Sequence, residues 1–170
     1  MFPTFNPIVV AAVAGAGATS AVIDMRVRRV PNPLTFGIAA VGVTLAAVQA
    51  TPVGITGALA GLGVGLALML PGHLIGATGA GDVKLFAALG TFLGPARIGM
   101  AFIYVALVGG ALAIVIARRR GRLRATLDRT AAIVRTGGAA AADIERPEHN
   151  NRFAYAPAIA LGAFAAALGL

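Results

Sequence analysis

The sequence predicts an all-α polytopic membrane protein with six transmembrane helices, and three observations predict it. Hydrophobic residues make up 58% of the 170-residue chain and charged residues 12%, with a mean hydropathy of +0.87, which does not describe a soluble domain. The apolar runs are long and continuous, whereas barrel strands would alternate polar and apolar residues over about ten positions. The arginines cluster beside those runs, so the net charge of +8 fits positive-inside orientation. Without tryptophan or aromatic residues interleaved with the charges, it does not fit a nucleic-acid surface.

The first apolar run, about Pro7 to Ile23, has no Lys or Arg before it, whereas Arg26, Arg28 and Arg29 follow it. That is the reverse of a secretory signal's charge order, and it predicts a retained helix entering from outside. Pro31-Asn32-Pro33 closes a short loop, because each proline biases the preceding residue away from the helical region and Asn32 suits a turn. A second helix is predicted over about Leu34 to Ala50. The uncharged link Thr51-Pro52-Val53 is a tight outside turn, followed by a third helix over about Gly54 to Leu70. Glycines 57, 61 and 65 form a ridge on it that admits close helix packing.

Pro71 to Gly81 reads as a glycine-rich loop, and a short fourth run extends from Asp82 to Gly94. If that run were re-entrant, the arginines from Arg118 to Arg124 would lie outside while Arg26, Arg28 and Arg29 lay inside. A spanning run puts both groups on the cytoplasmic side, with Pro95-Ala96-Arg97 as an outside turn and a fifth helix over about Ile98 to Ala117. Residues 118–152 are then a basic cytoplasmic connector. Leu123, Leu127 and Val134 would suit an amphipathic helix on the anionic inner leaflet; Gly137-Gly138 would equally suit a flexible, solvated link. A sixth helix over about Phe153 to Leu170, with Pro157 near its start, completes a single domain, 1–170, with both termini extracytoplasmic.

This topology brings Asp24, at the inner end of the first helix, and Asp82, at the start of the fourth, to one membrane face. Carboxylates at membrane depth cost about 2.5–3.5 kcal/mol to insert and usually face a bundle interior. Asp24 has an ordinary alternative as an interfacial charge beside arginines. Asp82 sits behind Gly79 and Gly81, which allow close backbone approach. Other hydrolytic centres lack their residues: Ser20 is the sole serine, there is no cysteine, and His73 and His149 form no His-Glu-x-x-His motif. His73 reads as a loop residue, and Asp143, Glu145, Glu148 and His149 as solvated charge, so neither metal nor cofactor is expected. What remains is a dyad sharing one proton. Helix dipoles assign Asp82, at an N-terminus, as the starting base and Asp24, at a C-terminus, as the acid. Lys84 does not share a helical face with Asp82, so no ion pair between them is expected.

The segments Asp24-Met-Arg-Val-Arg-Arg-Val-Pro31-Asn32-Pro33-Leu34-Thr35 and Gly79-Ala80-Gly81-Asp82-Val83-Lys84 resemble the two signature segments of the type IV prepilin peptidases. Tyr155-Ala156-Pro157-Ala158-Ile159-Ala160-Leu161-Gly162 resembles that family's last helix. The resemblance implies an intramembrane aspartic endopeptidase of the inner membrane, with Asp24 and Asp82 catalytic. Its expected partner is a prepilin or pilin-like precursor, cleaved at the cytoplasmic face. Gly79, Gly81, Lys84, Pro31 and Asn32 support the motifs. Larger members also methylate the new pilin N-terminus and carry an N-terminal, often cysteine-bearing region; this chain is similar to the short, peptidase-only members of tight-adherence pilus systems or to archaeal preflagellin peptidases, and methylation is not expected. The alternative class is a small proton- or cation-coupled transporter. Transporter sites usually lie at the bilayer midplane between repeated halves, and no internal repeat is visible here.

Overall fold

The computed structural model describes residues 6–75, 78–119, 131 and 155–170, with no strand among them. Five helices follow one another: α1 (Pro7–Val27), α2 (Asn32–Ala47), α3 (Gly54–Leu74), α4 (Ala80–Arg119) and α5 (Ala156–Leu168). α4 is two rods. Gly94 has φ 72° and ψ 175°, and Phe86 and Phe102 on either side of it meet edge to face with ring centroids 6.2 Å apart. A straight helix would separate them by about 24 Å. The chain therefore folds back at Gly94, so the described residues form six helical rods. Pro95 to Arg97, expected as a turn, are helical. A single glycine with positive φ makes the reversal, and Pro95 opens the second arm, where its missing N–H costs least.

Other boundaries move for local reasons. Asn6 caps α1 by accepting from the Ile8 and Val9 N–H groups at 3.0 and 3.1 Å, and the helix continues beyond Ile23 until Arg28, at φ 53°, ends it in the left-handed region. Asn32 and Pro33 open α2 instead of closing the loop, with Pro31 at the N-cap. α3 runs through Pro71 to Leu74, its end closed by the Ile75 N–H on the Pro71 carbonyl at 3.2 Å. The expected loop Pro71 to Gly81 gives up Pro71 to Leu74 to α3 and Ala80 and Gly81 to α4. α2 ends at Ala47 and α5 starts at Ala156. The amphipathic stretch expected through Leu123, Leu127 and Val134, and almost all of the basic connector, lie outside the described residues.

The first arm of α4 is the bundle's centre. Val83 and residues 85–94 are buried, as a helix apolar all round requires. α3 and α2 pack on it at Gly61 and Gly42, the second arm meets it at Phe102, and α5 packs on the second arm at Gly162, while α1 packs mainly on α5. Small residues set the spacing, because lipid provides no hydrophobic drive between helices and van der Waals contact must hold them. A Cβ on Gly61 would lie 2.1 Å from the Gly90 carbonyl oxygen, and one on Gly65 would lie 3.0 Å from the Ala87 Cα. At Gly57 the ridge reaches the end of the first arm, its carbonyl oxygen 4.0 Å from a would-be Cβ on Gly94, while its own Cβ position faces Val53 of the preceding loop.

These pairings also give directions. Gly61 with Gly90 and Gly65 with Ala87 make α3 antiparallel to the first arm. Gly17 beside Ala160 and Asp24 beside Ala156 make α1 antiparallel to α5. Asn32 beside Lys84 and Gly42 beside Thr91 align α2 with the first arm. Successive rods therefore alternate in direction. Among the described residues, three helices are long and apolar enough to cross a membrane, Pro7–Val27, Gly54–Leu74 and Ala80–Val115, and Asn32–Ala47 and Ala156–Leu168 are shorter apolar helices. Large apolar side chains such as Phe36, Leu59, Ile103 and Leu107 are exposed, as on a protein whose surroundings are lipid.

Candidate active site

The two segments singled out in the sequence meet at one end of the bundle. Asp24 lies in the last turn of α1 and is 6% exposed, and Asp82 lies in the first turn of α4, half-buried. They share the end of the bundle at which the α1–α2 loop packs on the start of α4, Gly81 against Val30.

Each glycine of Gly79-Ala80-Gly81-Asp82 has a separate steric reason. Gly79 is the residue before α4, and its carbonyl accepts the Val83 N–H at 3.2 Å. Asp82, three positions on, turns its carboxylate back toward the Gly79 backbone, as the N3 acid of a capping box does, with no side chain on Gly79 to complete the box. A Cβ on Gly79 would sit 3.1 Å from Asp82 Oδ2. Gly81, inside the helix, packs on the α1–α2 loop, where a Cβ would come within 3.3 Å of both the Val30 Cβ and its carbonyl oxygen. One glycine leaves room for the carboxylate, and the other lets the two segments touch.

Lys84 does not pair with Asp82. Its Nζ donates to Asn32 Oδ1 at 2.9 Å, and so ties the start of α4 to the start of α2. Asn32→Ala and Lys84→Met are each expected to lower stability modestly, with a coupling of about 0.5–1.5 kcal/mol. Thermal unfolding of the single and double variants in detergent measures it; strictly additive losses would mean that the contact contributes nothing. Pro31 caps α2 beside Asn32.

The sequence reading missed the start of α5. The Ala156 backbone N–H donates to Asp24 Oδ2 at 3.2 Å, in a buried contact. The carboxylate thus satisfies one of the donors that a helix start leaves open. Pro157 in Tyr155-Ala156-Pro157 signals a helix start, but nothing local in the chain says which carboxylate that start will meet. The contact also corrects the acid and base assignment made from dipoles. Asp24 ends α1, yet its carboxylate faces the N-terminus of α5, so both aspartates lie at helix N-termini and the proposed asymmetry disappears.

The remaining polar candidates stay apart from this pair. Ser20 is buried and donates to the Ala16 carbonyl at 2.7 Å within its own helix. His73 is exposed at the end of α3, with Nδ1 3.0 Å from the Thr78 carbonyl oxygen. Asp143, Glu145, Glu148 and His149 lie outside the described residues. Among the described residues, no three histidine, cysteine or acidic side chains gather as a metal site.

The second arm of α4 runs past the level of the pair. Counting equal distances from Gly94 puts Ala106 level with Asp82, so the arm continues about 20 Å further to Arg119. Along that overhang Leu107, Ile114 and Val115 are exposed.

Residues 10–114 match the family model described as the type IV leader peptidase family. The match includes Asp24, Pro31, Asn32 and the whole of Gly79 to Lys84, and it stops before α5. No curated protein and no solved structure matches the chain. With well over half of its length matched, including both segments that build the site, the chain belongs to the type IV leader peptidase family.

Proposed function

We propose that this leader peptidase is an aspartic endopeptidase in which Asp24 and Asp82 activate water between them. Its substrate is a type IV prepilin or pilin-like precursor, cut at the cytoplasmic face of the inner membrane. The observation that supports the reading is that the two aspartates, from opposite halves of the matched segment, stand at one end of the bundle, each beside a helix N-terminus.

The pair shares one proton. The ionised carboxylate takes a proton from water as the water oxygen bonds to the scissile carbonyl carbon, and the protonated one gives its proton to the carbonyl oxygen. In the collapse of that intermediate a hydroxyl proton returns to one carboxylate. The C–N bond breaks, the amine leaves with a proton from the other, and the pair again holds one proton. Gly79 and Gly81 keep side chains out of the approach to Asp82.

All six rods cross the bilayer in this reading, with both termini outside. Arg26, Arg28, Arg29, Arg118 and Arg119, all exposed, then lie on the cytoplasmic side, as the positive-inside rule requires, and the first three meet anionic headgroups. A precursor with a basic leader and an apolar helix straddles the same boundary, so its cleavage bond lies at the level of the pair.

Co-expression with a pilin-type precursor and mass measurement of the product's N-terminus tests the proposal. The expected product lacks the leader. A precursor recovered intact would instead favour a transporter or a non-catalytic protein of the same fold.

A further inference from the structure

His73 stays apart from the carboxylate pair, but the residue it holds does not. Its Nδ1 lies 3.0 Å from the Thr78 carbonyl oxygen; a carbonyl only accepts, so Nδ1 carries the proton and donates. The Thr78 N–H donates in turn to the Gly72 carbonyl at 3.1 Å. Thr78 is therefore bonded through both sides of its backbone to the last turn of α3, and its side chain lies against Gly72, where a Cβ would come within 3.3 Å of Cγ2 and Oγ1. The Thr78 hydroxyl is buried with no partner among the described residues, so the two backbone bonds carry the polar hold on this residue. Thr78 adjoins Gly79, on which Asp82 rests: the Gly79 carbonyl accepts the Asp82 N–H at 3.1 Å, and a Cβ on Gly79 would sit 3.1 Å from Asp82 Oδ2. Glycine imposes little on its own backbone, so the direction of the Gly79 peptide is set from outside, by α4 ahead of it and by Thr78 behind it.

We propose that His73 is a positioning residue of the site: its imidazole clasps the Thr78 carbonyl to the end of α3 and so fixes the peptide on which Asp82 rests. A bond to the Thr78 N–H alone leaves the carbonyl free to rotate, and the imidazole supplies the second point of attachment. α3 is itself packed against the first arm of α4 at Gly61 and Gly65, so the clasp refers the entry of α4 to the helix that the arm already touches. The inference rests on the dyad reading above, because a hold on Asp82 alters cleavage only if Asp82 takes part in it.

The test is steady-state cleavage of a pilin-type precursor by the full chain in detergent, with thermal unfolding and peptide-level hydrogen exchange recorded on the same samples. His73→Phe keeps a ring without a donor and is expected to lower kcat about three- to tenfold, the range that one exposed hydrogen bond covers, with KM within about twofold of the parent and an unchanged unfolding midpoint. His73→Asn places an amide N–H close to where Nδ1 stands and is expected to keep kcat within about twofold of the parent. Exchange over residues 78–83 should quicken in His73→Phe and not in His73→Asn. A loss of less than about threefold in His73→Phe overturns the inference. So does unchanged exchange in that variant, a loss explained by less folded protein, or a His73→Asn protein as impaired as His73→Phe. Asp82→Asn runs alongside as reference: if it is inactive while His73→Phe is fully active, only the role of His73 fails. If Asp82→Asn cleaves normally, the dyad reading fails and the inference with it.

Discussion

Asp82→Asn and Asp24→Asn are each expected to lower cleavage by about 10²–10⁴-fold, with folded protein recovered in parent amounts. Asparagine keeps the shape and one acceptor oxygen but cannot take or give the shared proton. At Asp24 that acceptor matters separately, because Oδ2 holds the Ala156 N–H in a buried contact. Asp24→Asn, through its Oδ1, preserves that bond, whereas Asp24→Ala removes it and leaves the start of α5 with an unpaired buried donor, at a cost of about 1–3 kcal/mol. The two substitutions therefore separate chemistry from anchoring. Both should be inactive, and only Asp24→Ala should melt early in detergent. Asparagine variants that cleave at the parent rate would remove the dyad. An Asp24→Ala protein as stable as the parent would remove the anchor.

What the chain announces about itself divides along a physical line. Hydropathy locates apolar runs, so the number and order of the rods were legible. It does not locate helix ends, because Met25, Arg26 and Val27 remain helical after the apolar run has stopped, and Pro71 is carried inside α3. Charge asymmetry around the runs was enough to bring Asp24 and Asp82 to one end. The glycines beside Asp82 were legible as places of close approach, but their partners were not. The carboxylate three residues on can be reached from local geometry; Val30, against which Gly81 packs, is set only when α1, α2 and α4 come together. The Lys84 to Asn32 bond and the Ala156 contact to Asp24 belong to the same class. Both join residues far apart in the chain, and they exist because the bundle closes, not because either segment asks for them.

Gly61→Ala and Gly90→Ala are expected to be among the most destabilising single-methyl additions in the protein, although alanine is a better helix former than glycine by about 1 kcal/mol. The reason is the contact each glycine makes. A Cβ on Gly61 would lie 2.1 Å from the Gly90 carbonyl oxygen, and a Cβ on Gly90 would lie 2.2 Å from the Gly61 carbonyl oxygen. Backbone faces backbone there, so no side chain can rotate away and α3 must separate from the first arm of α4. Overpacking relieved by side-chain movement costs about 1–3 kcal/mol, and here the loss should reach at least the upper end of that range. Gly63 is the control: it stands on the same helix with nothing within 4 Å of its would-be Cβ, so Gly63→Ala should be neutral or slightly stabilising. The damage should extend to activity in whatever Gly61→Ala protein remains folded, since the arm that is pushed aside begins with Asp82. Unfolding midpoints in detergent for the three variants decide the matter. If Gly61→Ala melts with Gly63→Ala, the two backbones do not touch, and the central arm that positions Asp82 is not held by this contact.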